Sequence, residues 1–267
     1  MQSRLLLTFH LVFAAFILLV SSTVFAAPKA DLWSYWQSSN EANSMPINHQ
    51  LWQQTLNRHI VQQGDQTLFS YNQVDQEGKW QLDRYVREMS KINPLKYRKA
   101  EQFSYWVNLY NALTVQLIAD NYPIKSITKL GGLFSFGPWD DDVVTVNGKK
   151  LTLNDIEHRI LRPIWQDNRI HYAVNCASLG CPNLQVHAFT ASNSDHLLDL
   201  AAKQFINSKK GVLSSNNKTQ LSSIYDWYQA DFGNTAQLQQ HLNQYRTTPV
   251  TLKNIDYDYD WALNEAK

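Results

Sequence analysis

The chain of 267 residues lacks several features that would declare a function at once. It has only 2 cysteines, and these and its scattered histidines lack the paired spacings of a zinc site. No metal and no cofactor is expected. Charge of one sign is missing too: 24 Lys and Arg stand against 23 Asp and Glu, and no basic run gathers positive charge in one place. Nucleic acid is therefore not an expected partner. Beyond residue 20 no apolar run is long enough to cross a bilayer, and no repeat or long linker divides the chain. A single domain is expected.

Aromatic residues, by contrast, are plentiful, with 9 Trp, 13 Tyr and 11 Phe. Most have polar neighbours, so amphipathic rings are expected along a core boundary or a cleft, as in a glycan or peptide groove. At the N-terminus, Arg4, the apolar stretch from residue 5 to 20 and the small residues of VFAA (24–27) read as a secretion signal. Residues 1–26 are expected to be removed near Ala26 or Ala27, leaving 27–267 as the mature domain. If uncleaved, the same segment would be the only contact with a membrane. Export to the periplasm or the medium puts Cys176 and Cys181 in an oxidising compartment, where they can pair.

Apolar residues recur at helical spacing around Trp52, Leu56 and Ile60, until Gly64 and Asp65 interrupt them. Residues 81–92 repeat the pattern and stop before Pro94. The stretch 101–122 predicts a helix buried almost all round, with Asn108 and Asn111 on one stripe. Such amides either fix a neighbouring loop or point into a site. Asn147-Gly148 between two alternating runs predicts a hairpin over 143–153. Asn154 is the expected N-cap of a short helix ending at Pro163, which puts His158 and Arg162 on one face. RIHYAVN (169–175) alternates as a strand leading into Cys176, and helices are expected at 194–206, from 222 and at 237–246. The last run, IDYDYDWALN (255–264), alternates as a strand with a carboxylate face. The class expected is α+β, with several helices packed on a small, mainly antiparallel sheet.

A thiol beside an imidazole can act as a nucleophile. Cys176 is the candidate, with His158 as base and Glu157 or Asp260 to orient it. His171 is five residues before Cys176, and a regular strand would hold it about 16 Å away. His187 is a weaker candidate. The alternative is a disulfide from Cys176 to Cys181, which leaves the Asn, His and Arg residues to hold a ligand.

The motifs FSYWVNLYNALT, LTLNDIEHRILRP, RIHYAVNCASLGCPNL, LSSIYDWYQADF and YDYDWALN resemble domain-of-unknown-function family 547. The likeness extends from about residue 80 to the end. It implies an envelope or secreted protein, and its pattern falls on Asn108, Asn111, Glu157, His158, Arg162, His171, Asn175, Cys176 and Cys181. The Asn175-Cys176 junction is also similar to permuted papain-like hydrolases, at the level of fold analogy. The leading expectation is a cysteine-dependent amide hydrolase or acyl transferase with Cys176, His158 and Glu157 as catalytic residues. The backbone N–H groups after Asn175 would serve as oxyanion donors. Asn108, Asn111, Arg162, His171, Asn175 and Asp260 would bind a small molecule, a peptide or a glycan. The alternative is a non-catalytic binding module with the two cysteines bridged.

Overall fold

A computed structural model describes residues 28–132, 135–215 and 217–267. The secretion signal read from the sequence lies outside these residues. Among the described residues helices dominate and the strands form three small sheets, which places the molecule in the α+β class. Among the described residues, no helix is long and apolar enough to cross a membrane.

From the N-terminal side run α1 (Gln50–His59), β1 (Ile60–Gln63), β2 (Gln66–Phe69), α2 (Gln76–Ser90) and α3 (Lys99–Asn121). Ile60, which continues the helical periodicity of α1, instead opens a hairpin. Gly64 at φ +62° makes the turn that pairs Ile60–Gln63 with Gln66–Phe69. Asp75 caps α2 by accepting the N–H of Gly78 at 2.8 Å. In α3 every residue from Glu101 to Val115 is buried. A helix without a polar face must be enclosed, and this one is the spine against which α2 and much of the remaining chain pack.

A hairpin of β3 (Val144–Val146) and β4 (Lys149–Leu151) follows, and both turn residues, Asn147 and Gly148, have positive φ as a type I′ turn requires. The next helical segment starts differently from expectation. Asn154 bonds Asp140, while Thr152 and Asp155 cap each other, each backbone N–H donating to the other's side chain at 3.0 Å. Pro163 does not end it. Asp155–Leu161 form a wide π-helical turn that runs on into α4 (Arg162–Trp165); Pro163 has no N–H to offer the Arg159 carbonyl, which accepts from Trp33 N at 3.0 Å instead.

The stretch RIHYAVN is not a strand. It forms the short helix α5 (Ile170–Ala173), started by the Asp167 side chain accepting from Arg169 N and the Asp167 carbonyl from Ile170 N. Residues 170 to 175 are buried without interruption, so the alternation in the sequence does not mark an inside and an outside face.

The C-terminal part comprises α6 (Ser194–Asn207), β5 (Val212–Ser215), β6 (Lys218–Ser222), α7 (Ile224–Trp227), α8 (Gln229–Phe232), α9 (Thr235–Tyr245) and β7 (Ile255–Asp258). β6 pairs antiparallel with β5 and parallel with β7. Asp256 and Asp258 bond Lys218 and Gln220 on the exposed side of this sheet. The helical run from residue 222 breaks at Tyr228, and that break turns its ring toward the site described next.

Candidate functional site

The π-helical turn, α5, the loop from Cys176 to Pro182, the break at Tyr228 and the chain after β7 surround a cleft of about 740 Å³. Its walls are aromatic: Phe136, Trp139, Trp227, Tyr228, Tyr259 and Trp261. The Trp261 ring centre lies 5.7 Å from Trp139, 5.6 Å from Trp227 and 4.6 Å from Tyr259. Glu157, His158 and His171 line the polar end, and the two cysteines line one side.

Adjacent residues of an ordinary α-helix diverge by about 100°. The wider π turn narrows that angle, so Glu157 and His158 both reach the cleft while both are buried. Behind them, one oxygen of Asp231 accepts from Arg162 Nε at 2.6 Å and from His171 Nε2 at 2.7 Å. Arg162 also donates through Nη1 to the Pro28 carbonyl at 2.7 Å and to His158 Nδ1 at 3.0 Å. Arginine has no acceptor, so His158 accepts through Nδ1 and carries its proton on Nε2. A carboxylate is likewise only an acceptor, so His171 bears a proton on Nε2, facing Asp231. Its Nδ1 is buried, has no hydrogen-bond partner and lies 3.8 Å from Glu157 Oε1. The Tyr228 ring stacks on the His171 imidazole at 4.0 Å and lies 4.9 Å from the Arg162 guanidinium.

Burial pushes His158 down to about 4, and the attraction of Glu157 offsets only part of this, so its imidazole is neutral near pH 7. Burial by itself would raise the Asp231 carboxyl. The hydrogen bonds from His171 and Arg162 outweigh that effect and hold it well below the usual carboxylate range. Burial, followed by the nearby charge of Glu157, pushes the Tyr110 and Tyr228 hydroxyls well up. Both therefore stay protonated beside the Glu157 carboxylate.

The structure changes the expected role of Cys176. Its sulfur is bridged to Cys181, with Cα atoms 6.1 Å apart across a tight loop, so no thiol stands ready as a nucleophile. Its other contacts are the hydroxyls of Tyr259 at 2.9 Å and Ser178 at 3.2 Å, neither of which is a general base. Four of the expected oxyanion donors are also engaged. Cys176 N donates to Cys181 Sγ, Ala177 N to Asn175 Oδ1, Leu179 N to the Ala262 carbonyl and Gly180 N to the Asp260 carbonyl. A Cβ at Gly180 would come within 2.8 Å of Asp260 N, so this close approach of two backbones requires glycine.

His171, expected far from Cys176 along a strand, lines the same cleft because a helical turn shortens the intervening chain. His187 is exposed and outside the cleft. Asn108 and Asn111 fix backbone rather than line the cavity: Asn108 holds both polar groups of Phe189, and Asn111 holds Ala173 O and Asn175 N. Asn175 braces the cysteine loop through Pro182 O and Ala177 N. Asp260 meets that loop through its backbone, and its side chain accepts from Ala262 N. Rings along a cleft were expected, but Asp231 and the particular aromatic residues of the walls were not named from sequence. The clustering of rings in YDWY (225–228) and YDYDW (257–261) was the available signal for the walls.

Fold and site together define an α+β domain that gathers an acid, histidine and arginine cluster at the polar end of an aromatic cleft. Residues 94–206 match the family model described as "Protein of unknown function, DUF547", the family that the motifs resemble. The match includes Glu157, His158, Arg162, His171 and both cysteines. Asp231, Tyr228, Tyr259 and Trp261, which complete the cleft, lie beyond it. No curated protein and no solved structure matches the chain.

Proposed function

We propose that the protein is an exported ligand-binding module of the cell envelope, with the Cys176–Cys181 bridge as a structural wall of its binding cleft. The observation that carries this reading is the bridged sulfur beside an otherwise accessible cavity of about 740 Å³, a volume suited to a small molecule or the end of a peptide or glycan. The aromatic walls supply contact area, and the buried polar residues supply orientation.

Two measurements test it. Intact mass of the protein made in an oxidising compartment should rise by about two mass units on reduction, with no alkylation before reduction. A panel of glycans, peptides and small molecules should then include at least one that shifts tryptophan fluorescence saturably. Free thiol in the untreated protein, or silence across the panel, would count against the reading.

A second reading keeps Cys176 as the nucleophile of an amide hydrolase or acyl transferase in a reduced form of the protein. It is favoured by one observation, that Cys176, His158 and Glu157 line the same cleft. Mild reduction should then permit labelling by an electrophilic acyl probe, and both Cys176→Ser and His158→Ala should abolish it. Labelling that survives His158→Ala would remove the proposed base.

A further inference from the structure

We infer that the cleft takes its ligand through a protonated primary amine, whose N–H groups bond Glu157 Oε1 and His171 Nδ1 together. This deepens the ligand-binding reading and rests on it.

Asp231 accepts from His171 Nε2, so in the neutral imidazole Nδ1 carries a lone pair, and it is buried without a partner on a residue lining the cleft. A buried acceptor left unpaired is destabilising, and a donor brought by a ligand would relieve that. The nearest carboxylate oxygen, Glu157 Oε1, is 3.8 Å away, too far for a direct hydrogen bond even through a shared proton. Two acceptors at this spacing can be bridged by one atom that has two hydrogens to give. A hydroxyl has one hydrogen; a primary ammonium has three.

Charge selects the same group. Among the described lining residues there is no lysine or arginine, while Asp140 and Glu157 are both acidic. The buried His158 is neutral near pH 7 and adds no positive charge. Arg162 lies behind this surface and is paired with Asp231. A carboxylate or phosphate on the ligand would meet the like charge of Glu157 and Asp140 with no cation to balance it. Trp139, Trp227, Tyr259 and Trp261 offer ring faces that attract a cation and would flank the carbon skeleton next to it.

The test compares three probes of one skeleton, phenethylammonium, 2-phenylethanol and phenylacetate, by tryptophan fluorescence titration at pH 7. The amine should bind saturably, the alcohol at least about tenfold more weakly and the acid not at all. Glu157→Gln should reduce the advantage of amine over alcohol by about tenfold. If circular dichroism shows that this variant is unfolded, Asp140→Asn at the exposed rim serves instead. It should weaken the amine by about twofold to threefold and leave the alcohol unchanged. Equal binding of amine and alcohol, preference for the acid, or no response to any of the three overturns the inference. The ligand-binding reading falls only if the wider panel of glycans, peptides and small molecules is silent as well.

Discussion

Asp231 receives two donors on a single carboxylate oxygen, one from Arg162 and one from His171. That oxygen holds the guanidinium against the floor of the cleft and sets the tautomer of the imidazole. Asp231→Asn keeps the shape and removes the charge, so both bonds weaken and His171 is free to move its proton to Nδ1. We expect a loss of about 2 to 3 kcal/mol in urea denaturation. The imidazole proton resonances of His171 should also shift in NMR, which a general loosening of the surface would not produce. The contact between Arg162 and His158 was readable in the sequence because four residues on a helix share a face. Asp231 lies 60 residues from His171. Nothing local in its surroundings tells such a carboxylate from a solvated one.

Elements specified by local chemistry were equally readable. The all-round apolar pattern of α3, the Asn147-Gly148 hairpin and the helix α9 all formed close to their expected bounds. The π turn and α5 were not readable. The first depends on a single widened helical turn, and the second carries an alternating pattern inside a segment buried on every side. What fixes α5 is Asn111, whose amide bonds Ala173 O at 2.9 Å and Asn175 N at 2.8 Å. Asn111→Ala would leave both groups buried and unpaired, at a cost of about 2 to 4 kcal/mol in chemical denaturation. The cysteine bridge closes a loop of sequence separation 5, so its chain-entropy effect is near the small end of the range. Replacing both cysteines by serine should cost about 2 kcal/mol, read as a lower urea midpoint that no longer responds to reductant. A much larger loss would mean that the bridge also holds the cleft wall through Tyr259 and Ser178.

At the scale of the whole molecule, acid is the expected weakness, because buried or half-buried neutral histidines occur in separate regions. His49 bonds Tyr85 in the larger core, His158 lies in the cleft, and His241 bonds Tyr172 in the smaller core. Burial lowers each to about 4, from 6.5 in the ordinary case. Between those values the unfolded chain binds protons that the folded chain refuses. Their contribution to stability is therefore fully present above about pH 6.5 and is lost as pH falls through about 4. Asp231 acts at still lower pH. Its folded carboxyl is held well down, so its contribution is intact above the ordinary carboxylate range and disappears only below it. Thermal unfolding should accordingly show a level Tm around pH 7 and a continuous decline from about 6.5 to 4. His241→Gln provides the decisive comparison, since glutamine can still bond Tyr172 but does not titrate. Between pH 6.5 and 4 it should reduce the slope of unfolding free energy by up to about 1.4 kcal/mol per pH unit, the equivalent of one proton. An unchanged slope would mean that His241 takes up its proton equally in the folded and unfolded chain, and that the acid response originates elsewhere.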